Sequence, residues 1–164
     1  MPLLASLALA LAGATHSPAA LPAQSPLSLK PPTACTVVTQ ADVEAVLGRP
    51  VSGGVEHKTT AMQSTCDYTA GDGEVTVALV HSSDKLDPDA EVSELKKILP
   101  KGAVREADGI GVRAFFLDIP SAGAQLHVLR GEHDYLMVSV LGFGSPAQVS
   151  DKALRLARKA LDRL

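Results

Sequence analysis

The sequence has no tryptophan, three phenylalanines and two tyrosines among 164 residues. So few rings exclude broad stacking platforms for sugars or single-stranded nucleic acid, because each base or ring needs a π-face. Cysteine is as scarce, with Cys35 and Cys66 the only two. Two thiols without CxxC spacing make a poor metal site. A basic excess is missing too. Lys and Arg number 15 against 18 Asp and Glu, for a formal charge of −3. Nucleic-acid binding needs surplus positive charge to neutralise phosphates, so no nucleic-acid partner is expected. The G-x-S-x-G, H-E-x-x-H and G-x-x-x-x-G-K-[ST] patterns are all absent. No catalytic residue, cofactor or metal ligand is therefore assigned. What is present is an apolar fraction of 46%, enough for one ordinary core.

No charge occurs before Lys30. Leu3 to Ala14 form a Leu/Ala-rich run of signal-peptide length, too short for a bilayer, which takes about 20 apolar residues. Ala12-Gly13-Ala14 fits a small-x-small cleavage pattern. Residues 1–24 are read as a signal peptide and 25–34 as a Pro/Ala/Ser-rich linker. Residues 35–164 are read as a single domain with no transmembrane segment. A lipobox cysteine would follow the apolar run at once, and Cys35 stands about twenty residues later. In an exported chain the even pair Cys35 and Cys66 reads as a disulfide. The expected location is extracytoplasmic, periplasmic or secreted, and the expected state is monomeric.

Three helices announce their ends. Thr39-Gln40-Ala41-Asp42 is a capping box, and Gly48 supplies a left-handed stop. Asp87-Pro88 starts a second helix, with Val92, Leu95, Ile98 and Leu99 on one face and Pro100 ending it. Ser145-Pro146 starts the third. Its apolar stripe runs through Val149, Ala153, Leu156, Ala157, Ala160, Leu161 and Leu164, and places Lys159 on a solvated face. Strand patterns cover 65–69 and 74–81 around a turn at 70–73, then 112–119, 124–130 and 133–141, with a weaker one over 51–58. Gly131-Glu132 reads as a two-residue hairpin, opposing His127 to Leu136. The fold class is α+β: an antiparallel sheet of about five to six strands, with helices mainly on one face.

Other patterns invite chemistry. Gly109-Ile110-Gly111-Val112-Arg113-Ala114 matches a dinucleotide fingerprint, but a strand follows it where a helix N-terminus is required. On the two-residue hairpin, His127 and His133 point to opposite faces and cannot share a metal. His57 and His81 lie on other segments. Asp84, Asp87, Asp89 and Glu91 form an acidic cluster without the calcium-loop pattern, and capping explains it. Residues 35–144 carry nine basic and sixteen acidic side chains, whereas 145–164 carry Lys152, Arg155, Arg158, Lys159 and Arg163 against two acids. The basic end is read as a solvated helix face.

The run Cys35-Thr36-Val37-Val38-Thr39, the helix Ala41–Gly48 and Cys66-Asp67-Tyr68 resemble a module of exported bacterial proteins and lipoproteins of unknown function, of the actinobacterial type. Gly109–Phe115 looks like their later glycine-rich entry into a strand. The chain departs from many members in lacking a lipobox Cys. The resemblance implies export, a disulfide and an α+β fold, and it carries no catalytic residues.

The function expected is that of an exported, non-catalytic binding or interaction domain whose partner is an unknown protein or small molecule. One alternative is metal or small-ligand binding through His57, His81 or the acidic cluster. A second is a hydrolase with a dispersed site, because catalytic triads are recognised by geometry.

Overall fold

In a computed structural model, residues 31–60 and 62–164 are described. Residues 1–24, read as a signal peptide, and the linker as far as residue 30 lie outside them. Eleven elements follow in order: α1 (Ala34–Val37), α2 (Gln40–Leu47), β1 (Ser52–Thr60), β2 (Gln63–Ala70), β3 (Gly73–His81), α3 (Pro88–Ile98), β4 (Val104–Glu106), β5 (Arg113–Ile119), β6 (Gly123–Leu129), β7 (Asp134–Leu141) and α4 (Pro146–Leu161). The strands form one antiparallel sheet in the order β1-β2-β3-β7-β6-β5-β4. The α+β class is as expected. The sheet has seven strands where five or six were expected, because β4, three residues long, is too short to show a period.

Strand alternation divides the sheet into two faces. Val75, Val77, Ala114, Phe116, Leu126, Val128, Leu136 and Val138 point to the first face. There α1, α2 and α4 cover them, with Val43, Val46, Val149, Ala153, Leu156 and Ala160 as the helical half of the core. Phe115 follows the opposite alternation and joins Val92 and Val104 in a smaller cluster on the second face, flanked by Leu95, Leu99 and Leu117. Helix α3 therefore lies across the sheet from the other three. Ile98, expected on its buried side, is 75% exposed. Its place in the 3.6-residue period is satisfied by Leu95 and Leu99 on either side.

The local signals act as read. The Thr39 hydroxyl accepts from Asp42 N at 3.3 Å while the Asp42 carboxylate accepts from Thr39 N at 3.0 Å. Gly48 ends α2 in the left-handed region with φ 71°. Asp87 accepts from Ala90 N at 3.0 Å, with Pro88 opening α3. Gly111, the second glycine of the fingerprint, has φ 64°. A Cβ there would stand 2.5 Å from Val128 Cγ1 and 2.6 Å from Leu129 O. Its glycine thus serves a close approach of two chains leading into β5.

Cys35 and Cys66 are disulfide-bonded, with Cα atoms 5.1 Å apart, tying α1 to β2. Thr33 and Ala34, on the linker side of that bond, are already buried. Arg105 on β4 grips Asp118 on β5 through two bonds of 2.6 and 2.7 Å, reaches Ser150 of α4 at 2.9 Å and lies over the Phe116 ring. This side-chain clamp holds the short edge strand in place.

The basic helix end is largely engaged. The Arg163 guanidinium meets the Asp42 carboxylate and donates to Val37 O at 2.8 Å, and Arg155 donates to Val46 O at 3.3 Å. Lys159, expected on a solvated face, lies 3.2 Å from Asp42 Oδ1. Helix α2 packs beside α4, so the turn expected to meet water meets an acid instead. Arg163 holds the Asp42 carboxyl well below the usual range. Burial, with the Asp42 charge, pushes the Tyr68 hydroxyl up to about 12, and it donates to Val38 O.

Candidate functional site

The second face is built in transverse rows, because antiparallel register stacks partners side by side. Gln63, Val80, Tyr135 and Leu129 form one row, and Thr65, Ala78, Met137, His127 and Phe115 form the next. Asp67, Thr76, Ser139, Gln125 and Leu117 form a third. Helix α3 covers the β4–β5 end of these rows. The β2–β3–β7 part is lined mainly by half-buried side chains, and the described helices leave most of it uncovered.

A groove of about 470 Å³ opens where the first row meets the start of α3. Gln63, Val80 and Tyr135 make its floor, and Met62, Leu86 and Glu91 contribute walls. The loop carrying Leu86 is held from several sides. Ser82 N donates to His133 O and Leu86 N to Glu132 O, both at 2.8 Å, and Lys85 pairs with the Glu132 carboxylate. The His133 ring adds bonds of 3.1 and 3.2 Å from Nδ1 to the carbonyls of Ser82 and Asp84. A carbonyl only accepts, so Nδ1 carries the proton. His133 is thus a clamp on the groove wall.

That clamp corrects the hairpin. Arg130 N donates to Asp134 O at 3.0 Å, so Gly131, Glu132 and His133 form a three-residue loop. His127 opposes Met137, not Leu136. One extra loop residue reverses which residues share a face. The argument that strand alternation separates His127 from His133 therefore fails, because His133 is not in a strand. The two rings nevertheless make different contacts: His133 bonds the Ser82 loop, while His127 stacks on Phe115 at 4.8 Å and meets the Tyr135 hydroxyl.

The other two histidines also have individual partners. His57 Nε2 is 3.5 Å from Asp67 on the second face. His81 opposes Asp134 at the end of the β3–β7 ladder, and its Nδ1 lies 2.8 Å from Asp134 Oδ1. By alternation this pair belongs to the first-face side of the sheet end. Neutral His81 would donate from Nδ1 and leave Nε2 as a base, yet no hydroxyl is bonded to Nε2 among the described residues. The rings of His81 and His133 are 6.0 Å apart, but Nδ1 of each is engaged. No group of three or more His, Cys, Asp or Glu among the described residues is arranged to hold a metal. The acidic cluster is divided: Asp87 caps α3, Asp89 pairs with Arg113 at 3.1 Å and Glu91 lines the groove. The Glu91 carboxyl is raised by desolvation, though the residue as a whole stays exposed. The groove wall displaces part of its water.

Among the described residues, three buried polar side-chain atoms have no hydrogen-bond partner: Arg113 Nε, His127 Nε2 and Ser139 Oγ. All three residues belong to the second-face alternation. Among the described residues the second face, unlike the first, retains buried side-chain atoms with unused hydrogen-bonding capacity. Met62, Gln63 and Tyr135 were not singled out in the sequence, whereas Glu91 was read only as one of the acidic cluster at the start of α3. Met62 lies in the turn before β2, Gln63 opens β2, Tyr135 is near the start of β7 and Glu91 is on α3, and no spacing links them.

Comparison with protein-family models, curated proteins and solved structures finds no match for this chain. Among the described residues no helix is long and apolar enough to cross a membrane.

Proposed function

We propose that the protein is an exported, non-catalytic binding domain that takes its ligand in the groove beside α3. The observation that carries the reading is the second face, which the described helices cover only at its β4–β5 end. A framed groove opens there, and the buried polar atoms left without partners lie on the same face. Sites for small ligands are concave, mostly apolar and largely pre-formed, with a few polar groups to orient the guest. Main-chain and side-chain bonds from 82–86 to 132–133 supply the preformed wall. The disulfide is compatible with an oxidising compartment. The resemblance to exported proteins of the actinobacterial type supports the same location.

The test is retention of a native ligand. Full-length protein recovered from its own host is extracted and its small-molecule content compared with that of Val80→Trp, which fills the floor. A compound retained by the parent and lost from the variant supports the groove. A compound retained equally by both overturns it, and turnover of a retained compound overturns the non-catalytic reading.

A further inference from the structure

We propose that the groove takes a small organic cation, with its ammonium group against Glu91 and its apolar body on Val80 and Leu86. This deepens the groove reading and rests on it. The floor and walls are apolar where Met62, Val80 and Leu86 line them, and a volume of about 470 Å³ suits a small molecule. Tyr135 adds an aromatic ring to the lining, and a ring face attracts cations within about 6 Å.

Charge decides the class of ligand. Four cations around α3 and its neighbouring strands are already paired with acids among the described residues. Lys85 is paired with Glu132, Lys97 with Glu94, Lys96 with Glu106, and Arg113 with both Asp89 and Glu106. Glu91 has no ion pair or side-chain hydrogen bond among the described residues, although it lines the groove. The helix dipole accounts for Asp87 and Asp89, which cap α3 and bind Arg113. It does not require a third acid turned towards an apolar floor. Among the described residues the groove lining holds no Lys or Arg, and its His81 is engaged by Asp134, so an anionic guest would face Glu91, with Asp84 and Asp87 close in sequence. The local field favours positive charge.

The experiment titrates the full chain with three probes of one shape: 2-phenylethylamine, 2-phenylethanol and 3-phenylpropionate. Backbone amide shifts of Leu86, Glu91 and Tyr135 are followed by NMR, in the parent, in Glu91→Gln and in Val80→Trp. The amine is expected to bind about tenfold more tightly than the alcohol, as for one charge-assisted contact at a partly wet site. The carboxylate is expected to bind more weakly than either. Glu91→Gln should weaken the amine about tenfold and leave the alcohol unchanged, while Val80→Trp should abolish both. Equal binding of amine and alcohol, both blocked by Val80→Trp, overturns the cation and leaves the groove standing. If no probe moves these three amides, the cation and the groove fail together.

Discussion

Tyr135 lines the groove and shares a hydrogen bond between its hydroxyl and Nδ1 of His127, one row deeper in the sheet. His127 is 8% exposed, and its Nε2 has no partner among the described residues. Burial pushes this imidazole down to about 4 from an ordinary 6.5. Between those values the unfolded chain binds a proton that the folded chain refuses. The contribution is therefore intact above pH 6.5 and is lost as pH falls towards 4. A shift of this size corresponds to roughly 3 kcal/mol. Urea melts of the parent at pH 7.5, 6, 5 and 4 should show that decline, and His127→Gln should flatten it. Parallel curves for the two proteins would mean that the imidazole takes up its proton freely in the folded state.

Asp42 works in the opposite sense. Its carboxyl is held low by Arg163, so its contribution is present above the ordinary carboxylate range and lost as pH falls through and below it. Arg163 is 40% exposed, and screening keeps the pair modest. Asp42 also caps α2 as the partner of Thr39. Asp42→Ala should cost about 2 kcal/mol, Arg163→Ala about 1 kcal/mol and Lys159→Ala less. Denaturant midpoints for the three variants check the order. A Lys159→Ala loss as large as that of Asp42→Ala would contradict it.

Leu156, on α4, is fully buried, whereas Ile98 on α3 is 75% exposed. Leu156→Ala should remove about 2–5 kcal/mol, while Ile98→Ser should stay within about 0.5 kcal/mol. Guanidinium melts read both. Two small effects would show that α4 is only loosely attached to β6 and β7.

The Cys35–Cys66 bond closes a span of 31 residues. In the chain-entropy description such a loop stabilises by roughly 3–4 kcal/mol. The double variant Cys35→Ser/Cys66→Ser should show a correspondingly lower midpoint, and the parent in reductant should approach it. An unchanged midpoint on reduction would show that α1 is held to β2 without the bond.

The boundary between what was legible and what was not follows the range of the forces. Thr39, Asp42 and Gly48 make a helix within ten residues, and Asp87-Pro88 starts another, because caps and turn glycines act on neighbouring backbone. The alternation of β3, the nearly continuous apolar run of β5 and the stripe of α4 were readable for the same reason, as was the pairing of the only two cysteines. Three other features depended on contacts made far along the chain. Strand β4 is held by Arg105 reaching Asp118 and Ser150. The hairpin gains a residue because His133 is drawn to carbonyls some fifty positions away. Helix α3 crosses to the second face because Phe115 presents a buried ring there for Val92. The groove depends on all three parts of that arrangement: the longer loop, the clamped 82–86 segment and the side taken by α3. Sequence alone determined an α+β domain with one disulfide and well-marked helix ends. Tertiary packing alone decided which face stayed open, since facing and loop length are set by long-range contacts that no local period encodes.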